Sequence, residues 1–215
     1  MSLQNRVDPF GAIHADPARG MFTGNRGIIH DPDTRTLLGR RWTTKAWIVC
    51  TLHLGDRRRD VMGRNGPNGG TGWTELFFLD EVTALAAGHR PCFYCRRPDA
   101  RRFQSCFAAG NGLARVSAPS MDGLLHDQRP LSGGPRPVLD AAAIAALPDG
   151  AVIASRGRPF AVLRDTLLPW NHAGYDRPIA AGALDPVATT LVTPLSTVAA
   201  LRSGFKPVWH PSAGA

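Results

Sequence analysis

Two cysteines, Cys92 and Cys95, are the side chains in this sequence whose type and spacing point most directly to chemistry. They lie in the stretch WTELFFLDEVTALAAGHRPCFYCRRP, residues 73–98. A C-x-x-C turn places two thiolates on one side of a tight loop, at about the separation that a tetrahedral zinc ion requires. The sequence therefore predicts half of a Zn²⁺ site, and a metal-free, reduced turn is the alternative interpretation.

Further ligands must come from elsewhere in the chain. Cys50 is the best third ligand by its order in the sequence, although its apolar strand face is equally compatible with a buried thiol. His30, in a loop, is the candidate for the fourth position. His53 forms a C-x-x-H pair with Cys50, but a regular strand would point the two side chains to opposite faces. We therefore predict a metal site of Cys92, Cys95, Cys50 and His30.

The elements around the cysteine pair carry clear local signals. Residues 74–79 alternate as a strand does, and Asp80 is a natural N-cap. Residues 81–87 then give about two helical turns, and Gly88 suits the left-handed position that ends a helix. A strand and a capped helix are therefore expected to position the C-x-x-C turn.

The rest of the chain predicts an α+β protein with short antiparallel sheets and short capped helices. The expected elements are strands over 46–54 and 60–62, a helix over 98–109, a linker over 111–137, a helix over 140–147, a hairpin of 151–155 with 159–164, a loop over 171–175, a strand over 187–192 and a helix over 196–203. We expect one compact unit, with halves of about 1–112 and 138–215.

One internal repeat is visible. LDEVTALAAGHRP, residues 79–91, aligns without gaps with LSTVAALRSGFKP, residues 195–207. Both read as a cap residue, an apolar helix, glycine, a ring, a cation and proline. Duplication of a strand–helix–G-x-R-P unit would explain the likeness, and so would convergent helix capping, which the shortness of the match favours.

The formal net charge of +8 and the isoelectric point near 10.3 predict an anionic partner such as DNA or RNA. A composition bias is the competing explanation, because lysine occurs only at Lys45 and Lys206. The arginines predicted to contact phosphates are Arg57, Arg58, Arg59, Arg96, Arg97, Arg101 and Arg102.

The stretch FFLDEVTALAAGHRPCFYCRRPD resembles the second half of the zinc-binding domain of Ada-type methylphosphotriester repair proteins. It is also similar to small zinc modules attached to some secreted nucleases. The resemblance covers residues 77–98 and implies a zinc-binding module that associates with nucleic acid. The family carries two further cysteines in a C-x-x-x-C turn, one of them the methyl acceptor. This chain offers Cys50 alone, with leucine at position 54, so methyl transfer of that kind is not expected.

The alternative to a binding module is an enzyme. A hydrolase or nuclease-like pocket would collect His30, His126 or His172, or use the loop after Trp170, although no Gly-x-Ser-x-Gly or His-Glu-x-x-His motif is present. No apolar run approaches the roughly 18–20 residues that span a bilayer. We therefore expect a cytoplasmic protein without a membrane partner, in which the cysteines are unlinked.

Overall fold

The computed structural model describes residues 2–53, 55, 59–184 and 188–214. These residues form five α-helices and fourteen short strands, most of which pair in antiparallel fashion. This confirms the predicted α+β class. None of the described helices is both long enough and apolar enough to cross a lipid bilayer.

The first half contains eight strands. They are β1 (Gln4–Val7), β2 (Ile13–Ala15), β3 (Phe22–Asn25), β4 (His30–Asp31), β5 (Thr36–Leu37), β6 (Ile48–Thr51), β7 (Leu76–Phe78) and β8 (Arg90–Pro91). Six of them form one mixed sheet in the order β2-β1-β7-β3-β6-β8, while β4 and β5 pair separately. Strand β6 is shorter than predicted, and position 54 lies outside the described residues.

Alternation along these strands divides the sheet into two faces. Val49, Leu76 and Phe78 are fully buried in the core on one face. The register pairs Phe77 with Thr23 and Thr23 with Cys50, which places the three side chains in a row on the other face. We call this second side the cleft face.

Helix α1 (Glu81–Ala86) follows β7 directly and begins and ends as predicted. The Asp80 carboxylate accepts the N–H of Thr83 at 2.9 Å, and Gly88 has a φ of +81°. All the residues of α1 are buried. Because it is short and enclosed, this helix fixes the direction in which the chain enters β8 and the cysteine turn.

Helix α2 (Arg97–Gly110) begins after the cysteine turn, close to its predicted bounds. Two other expectations for the first half are wrong. Residues 60–62 form a turn, in which Met62 has a φ of +55°, rather than a strand. The predicted linker contains helix α3 (Ala118–Gln128), capped by the hydroxyl of Ser117.

The second half is built on an antiparallel sheet, and its hairpin confirms the prediction. Its elements are α4 (Ala141–Ala145), β9 (Val152–Ser155), β10 (Arg158–Leu163), β11 (Thr166–Asn171), β12 (Gly174–Tyr175), β13 (Ile179–Ala180), β14 (Thr189–Leu191) and α5 (Leu195–Arg202). The sheet order is β12-β11-β10-β9-β14, with β13 also on β11. The loop expected at 171–175 is the turn between β11 and β12. The predicted last strand is present over Thr189–Leu191, whereas Val187 lies outside the described residues.

The two halves share a hydrophobic core. Leu79 and Val82, from the α1 region, pack in one cluster with Val152 and Ala161 of the second sheet. The Asp80 carboxylate also accepts a hydrogen bond from the Tyr175 hydroxyl, at 2.8 Å between the oxygens, across this junction. The helix that precedes the cysteine turn is therefore anchored from both halves.

Candidate metal centre

The fold brings three cysteines together. The sulfur atoms of Cys50, Cys92 and Cys95 all lie within 4.8 Å of one another. Cys50 is in β6, and β8 pairs with β6 in parallel, with Pro91 opposite Val49. The N–H of Cys92 donates to the carbonyl of Val49 at 3.0 Å. This strand pairing sets the C-x-x-C turn beside Cys50, and the cluster could hold a metal ion.

Hydrogen bonds around the cluster favour thiolates on the C-x-x-C pair. The N–H of Tyr94 donates to Cys92 Sγ at 3.3 Å, and the N–H of Cys95 also donates to that sulfur. The N–H of Thr51 donates to Cys95 Sγ. Hydrogen bonds to an anionic sulfur stabilise it relative to the protonated thiol.

Hydrogen bonds among the three cysteines are the main reason why their pKa values differ. A hydrogen bond from Cys50 is the largest cause that lowers the pKa of Cys92 to about 5 and the pKa of Cys95 to about 7. The pKa of Cys50 is raised, first because Cys50 donates to Cys92 and then because it donates to Cys95. One proton on Cys50 therefore serves two thiolates, and a bound cation would take the place of that proton.

Among the residues that the structure describes, this group contains three ligands and no fourth. Zinc usually has four, of which a protein supplies all in structural sites and three in many catalytic sites. His53 is exposed and lines the same cleft as the three cysteines. Among the described residues it is the one histidine of that lining, and it could provide a fourth ligand.

The three cysteines line an open cleft with a volume of about 1550 Å³ over the cleft face. Arg6 and Phe77 line it, with the Arg6 guanidinium 4.8 Å from the centre of the Phe77 ring. Arg19 is exposed at its edge. Tyr94, within the cysteine turn, is 74% exposed. The cleft thus combines cations and aromatic rings beside the thiol cluster, and its lining also includes the carboxylates of Asp16 and Glu75, of which Glu75 pairs with Arg59.

His30 does not join the cysteines. Its side chain is 2% exposed, with Nδ1 2.6 Å from the Thr74 hydroxyl and Nε2 3.4 Å from the Gly63 carbonyl. Both ring nitrogens are engaged by these neighbours, which lie away from the cluster. The prediction of His30 as the fourth ligand is corrected by this placement.

The predicted arginines have different environments. Arg57 and Arg58 lie outside the described residues. Arg59 pairs with Glu75 at 2.6 Å and stacks on Trp73, so its charge is already compensated. The exposed arginines of the set are Arg97, Arg101 and Arg102, all on α2.

Arg96 is an interior residue rather than a surface one. Its side chain is 3% exposed and pairs with Glu81 at 2.7 Å, with a second contact to Asp99 at 3.0 Å. Its guanidinium also lies 4.6 Å from the centre of the Phe22 ring. These contacts leave Arg96 no access to a phosphate, contrary to the sequence-based expectation.

The predicted histidine pocket does not form around a common point. His30 contacts Thr74, whereas the His126 ring lies 3.3 Å from the Ser132 hydroxyl. His172 packs against Trp170, with ring centres 4.8 Å apart. The three histidines therefore have separate surroundings.

The residues of the cleft face were not among the candidates that the sequence indicated. Phe77 and Thr23 occupy alternate positions of their strands, a signal that was available. Arg6 was not singled out because β1 lies among turn signals, and its place beside Phe77 depends on a parallel pairing across the sheet.

No protein-family model, curated protein or solved structure matches the chain. Its function is therefore argued from the geometry of the site.

Proposed function

We propose that this chain is a zinc-binding protein that associates with nucleic acid through its open cleft. The observation that carries the proposal is that three cysteine sulfurs, within 4.8 Å of one another, line a cleft together with arginine and aromatic side chains.

The donor set favours zinc. Cys50, Cys92 and Cys95 provide sulfur ligands, and thiolate ligands select zinc over hard cations such as Mg²⁺ and Ca²⁺. The lowered pKa values of Cys92 and Cys95, about 5 and about 7, make Cys92 a thiolate at neutral pH and Cys95 partly one. When bound, the ion would tie β6 to the turn after β8 and would carry a fourth ligand from His53, solvent or the contents of the cleft.

The cleft favours a nucleic acid as its occupant. Proteins that bind single strands combine cations, which contact phosphates, with exposed aromatic rings, on which bases stack. Arg6 and Arg19 provide cations here, and Phe77 and Tyr94 provide rings. The net charge of +8 would assist the approach of an anionic chain.

The resemblance of residues 77–98 to the Ada-type zinc module agrees with this proposal in ligand type and partner. The donor set differs, because the described site has three cysteines rather than four. We therefore propose binding without methyl transfer.

The metal is tested by elemental analysis of protein purified without chelator. We expect about one zinc per chain in the wild type and in Cys106→Ser, and none in Cys50→Ser or Cys92→Ser. Cys106 is the matched control because it packs beside Phe103 and Phe107, apart from the cluster. Retention of zinc by Cys50→Ser would reject the three-cysteine site, and metal-free wild-type protein would reject zinc binding.

Nucleic-acid binding is tested by fluorescence anisotropy with labelled single-stranded and duplex oligonucleotides. The affinity should fall steeply as the salt concentration rises. We expect the double variant Arg19→Glu, Tyr94→Ala to bind a single strand more than about tenfold more weakly, because it removes both a cation and a stacking ring. Arg177→Glu, at an exposed position of the second half, makes the same change in net charge and should have little effect. Equal losses in the two proteins would place binding outside the cleft, and no binding at low salt would reject the association.

A further inference from the structure

Two arginines, Arg26 and Arg129, are fully buried, and both stack on the ring of Trp47. The guanidinium carbons lie 3.8 and 4.0 Å from the centre of the Trp47 ring. Such stacking orients a guanidinium but does not neutralise its charge. Among the described residues, neither arginine forms an ion pair with a carboxylate.

Other interior arginines are treated differently by the fold. Arg90 has both oxygens of Asp122 as partners, at 2.8 and 2.9 Å, and Arg96 has Glu81. Buried charges in proteins are normally paired in this way, because an isolated charge loses its hydration. The pair around Trp47 is therefore the exception that needs an explanation.

Several donors of this pair point to no acceptor in the described structure. Arg26 donates to the Gly11 carbonyl at 2.8 Å and lies 3.3 Å from a ring nitrogen of His89, but its Nη2 has no partner. Arg129 donates to the Lys45 carbonyl at 3.0 Å, whereas its Nε and Nη1 have none. Three buried guanidinium nitrogens thus remain available to an acceptor.

Two glycines with positive φ stand beside these nitrogens. A Cβ on Gly11 (φ +88°) would lie 3.5 Å from Arg26 Nη2, and a Cβ on Gly88 (φ +81°) would lie 3.0 Å from Arg129 Nε. The backbone of both glycines therefore packs close to the arginine side chains, and a side chain at Gly88 would crowd Arg129. Lys45, whose carbonyl contacts Arg129, is exposed, so solvent is close to the cluster.

We infer that Arg26 and Arg129 bind a small inorganic anion of the phosphate, sulfate or chloride class. The anion would lie at the edge of the Trp47 ring, where it would accept hydrogen bonds from Arg26 Nη2 and from either Nε or Nη1 of Arg129, and it would compensate the two buried charges. Burial lowers the pKa of Arg26 well below its ordinary value and the pKa of Arg129 to about 9, so both arginines would gain from a negative partner. This site does not depend on the zinc cluster or on the cleft.

The experiment measures thermal unfolding of the whole chain during separate titrations with phosphate, sulfate and chloride. Sodium gluconate, whose anion is bulky, keeps the ionic strength constant. We expect a saturable rise in Tm of about 5–10 °C when the bound anion is about a hundredfold above its Kd. Saturation with phosphate and sulfate alone would identify an oxyanion site, and saturation with chloride would identify a halide site.

Arg129→Met is the decisive variant, because it keeps an unbranched side chain against Trp47 and removes the donors. It should lose the saturable rise, whereas the exposed control Arg177→Met should keep it. Should Arg129→Met fail to fold, Arg129→Lys takes its place and should bind at least about tenfold more weakly, since lysine lacks the planar fork of donors. Phosphate and sulfate also stabilise proteins without saturating. No saturable rise with any of the three anions, or equal rises in wild type and variant, would overturn the inference.

Discussion

The segments 79–91 and 195–207 share a pattern of residues, and the structure gives them the same helix ending. Gly88 and Gly204 have φ angles of +81° and +96°. In both segments the following residue donates its N–H to a carbonyl of the helix, at 2.9 Å in the first and 3.2 Å in the second. Local capping chemistry therefore acts alike in both places.

The chain differs after the glycine. In the first segment Arg90–Pro91 forms β8, which pairs with β6 and sets Cys92 beside Cys50. In the second, residues 206–210 form no strand, and Val208 exchanges hydrogen bonds with Glu81 of the first segment, at 2.9 and 3.1 Å. A shared helix ending is thus compatible with two different continuations of the chain. The thiol cluster needs both the cysteines, which only the first segment has, and the strand pairing that sets them beside Cys50.

The helix starts differ as well. Asp80 caps α1, but the aligned Ser196 lies inside α5, whose N-cap is Pro194. The Ser196 hydroxyl is buried without a partner in the described structure. The predicted start of α5 at residue 196 is therefore one residue late, and the cap residue of the repeat is used only once.

The largest difference in the free energy of unfolding is expected between variants at Glu81 and at its aligned residue, Thr197. Glu81→Val should lower the free energy of unfolding by about 3–5 kcal/mol, because it removes the principal partner of the buried Arg96. Thr197→Val should change it by less than about 1 kcal/mol, since the Thr197 hydroxyl has no partner among the described residues. Urea unfolding measures both. Similar losses would mean that the ion pair does not distinguish the segments.

The caps should give the next contrast. The Asp80 carboxylate accepts hydrogen bonds from Thr83, from the Tyr175 hydroxyl and from the N–H of His210. Asp80→Ala should therefore cost about 2–4 kcal/mol in chemical denaturation. Ser196→Ala serves as the matched variant and should lie within about 0.5 kcal/mol of wild type. A costly Ser196→Ala would contradict the unused cap.

Alanine substitutions at the two glycines should differ by a smaller amount in their cost to stability. Gly204→Ala should cost about 1–2 kcal/mol for the left-handed backbone alone, because a Cβ there would meet no atom within 4 Å. Gly88→Ala should cost about 1 kcal/mol more, because its Cβ would lie 2.9 Å from Arg129 Cβ. Thermal unfolding of both variants gives the comparison, and a larger loss at Gly204 would reverse it.

A further expected effect, which appears only at acid pH, is a pH dependence of stability at His89, which aligns with Phe205. Burial, then the charges of Arg26 and Arg129, lowers the pKa of His89 well below its ordinary value. Below about pH 6.5 the unfolded chain therefore binds a proton that the folded chain does not, and stability falls as the pH falls.

Relative to His89→Phe, the wild type should lose up to about 1.4 kcal/mol per pH unit between pH 6 and 5. Urea unfolding at pH 7, 6 and 5 measures this slope. Phe205→Leu, the control in the second segment, should keep the wild-type slope. An unchanged slope in His89→Phe would assign the pH dependence to other groups.

Local signals were sufficient for much of the fold. Asp80 and Gly88 fix the two ends of α1 through atoms a few residues away, so the sequence shows both partners of each contact. The hairpin of β9 and β10 is equally local. Helix α3 was missed because its buried side includes Asp122, and the partner that makes this burial acceptable, Arg90, is distant in sequence.

The candidate site was predictable only in part, for the same reason. The spacing of Cys92 and Cys95 predicts a ligand pair. Cys50 joins them through the parallel pairing of β6 with β8, which has no sequence signature. Arg96 follows the cysteine turn and belongs to a charged run, yet Glu81 draws it into the core. Whether a cation faces solvent depends on such a partner rather than on its neighbours in the chain.

The division of the cluster between a local pair and a distant strand has a consequence for how the chain would mature. Cys92 and Cys95 are near neighbours and could capture a metal while the rest of the chain is unfolded. Cys50 can add its sulfur only after β8 has settled against β6. The absorption spectrum of cobalt changes with the number of sulfur ligands, so if the cluster takes up cobalt, as a zinc site would, the spectrum of a refolding chain would report when these two strands pair.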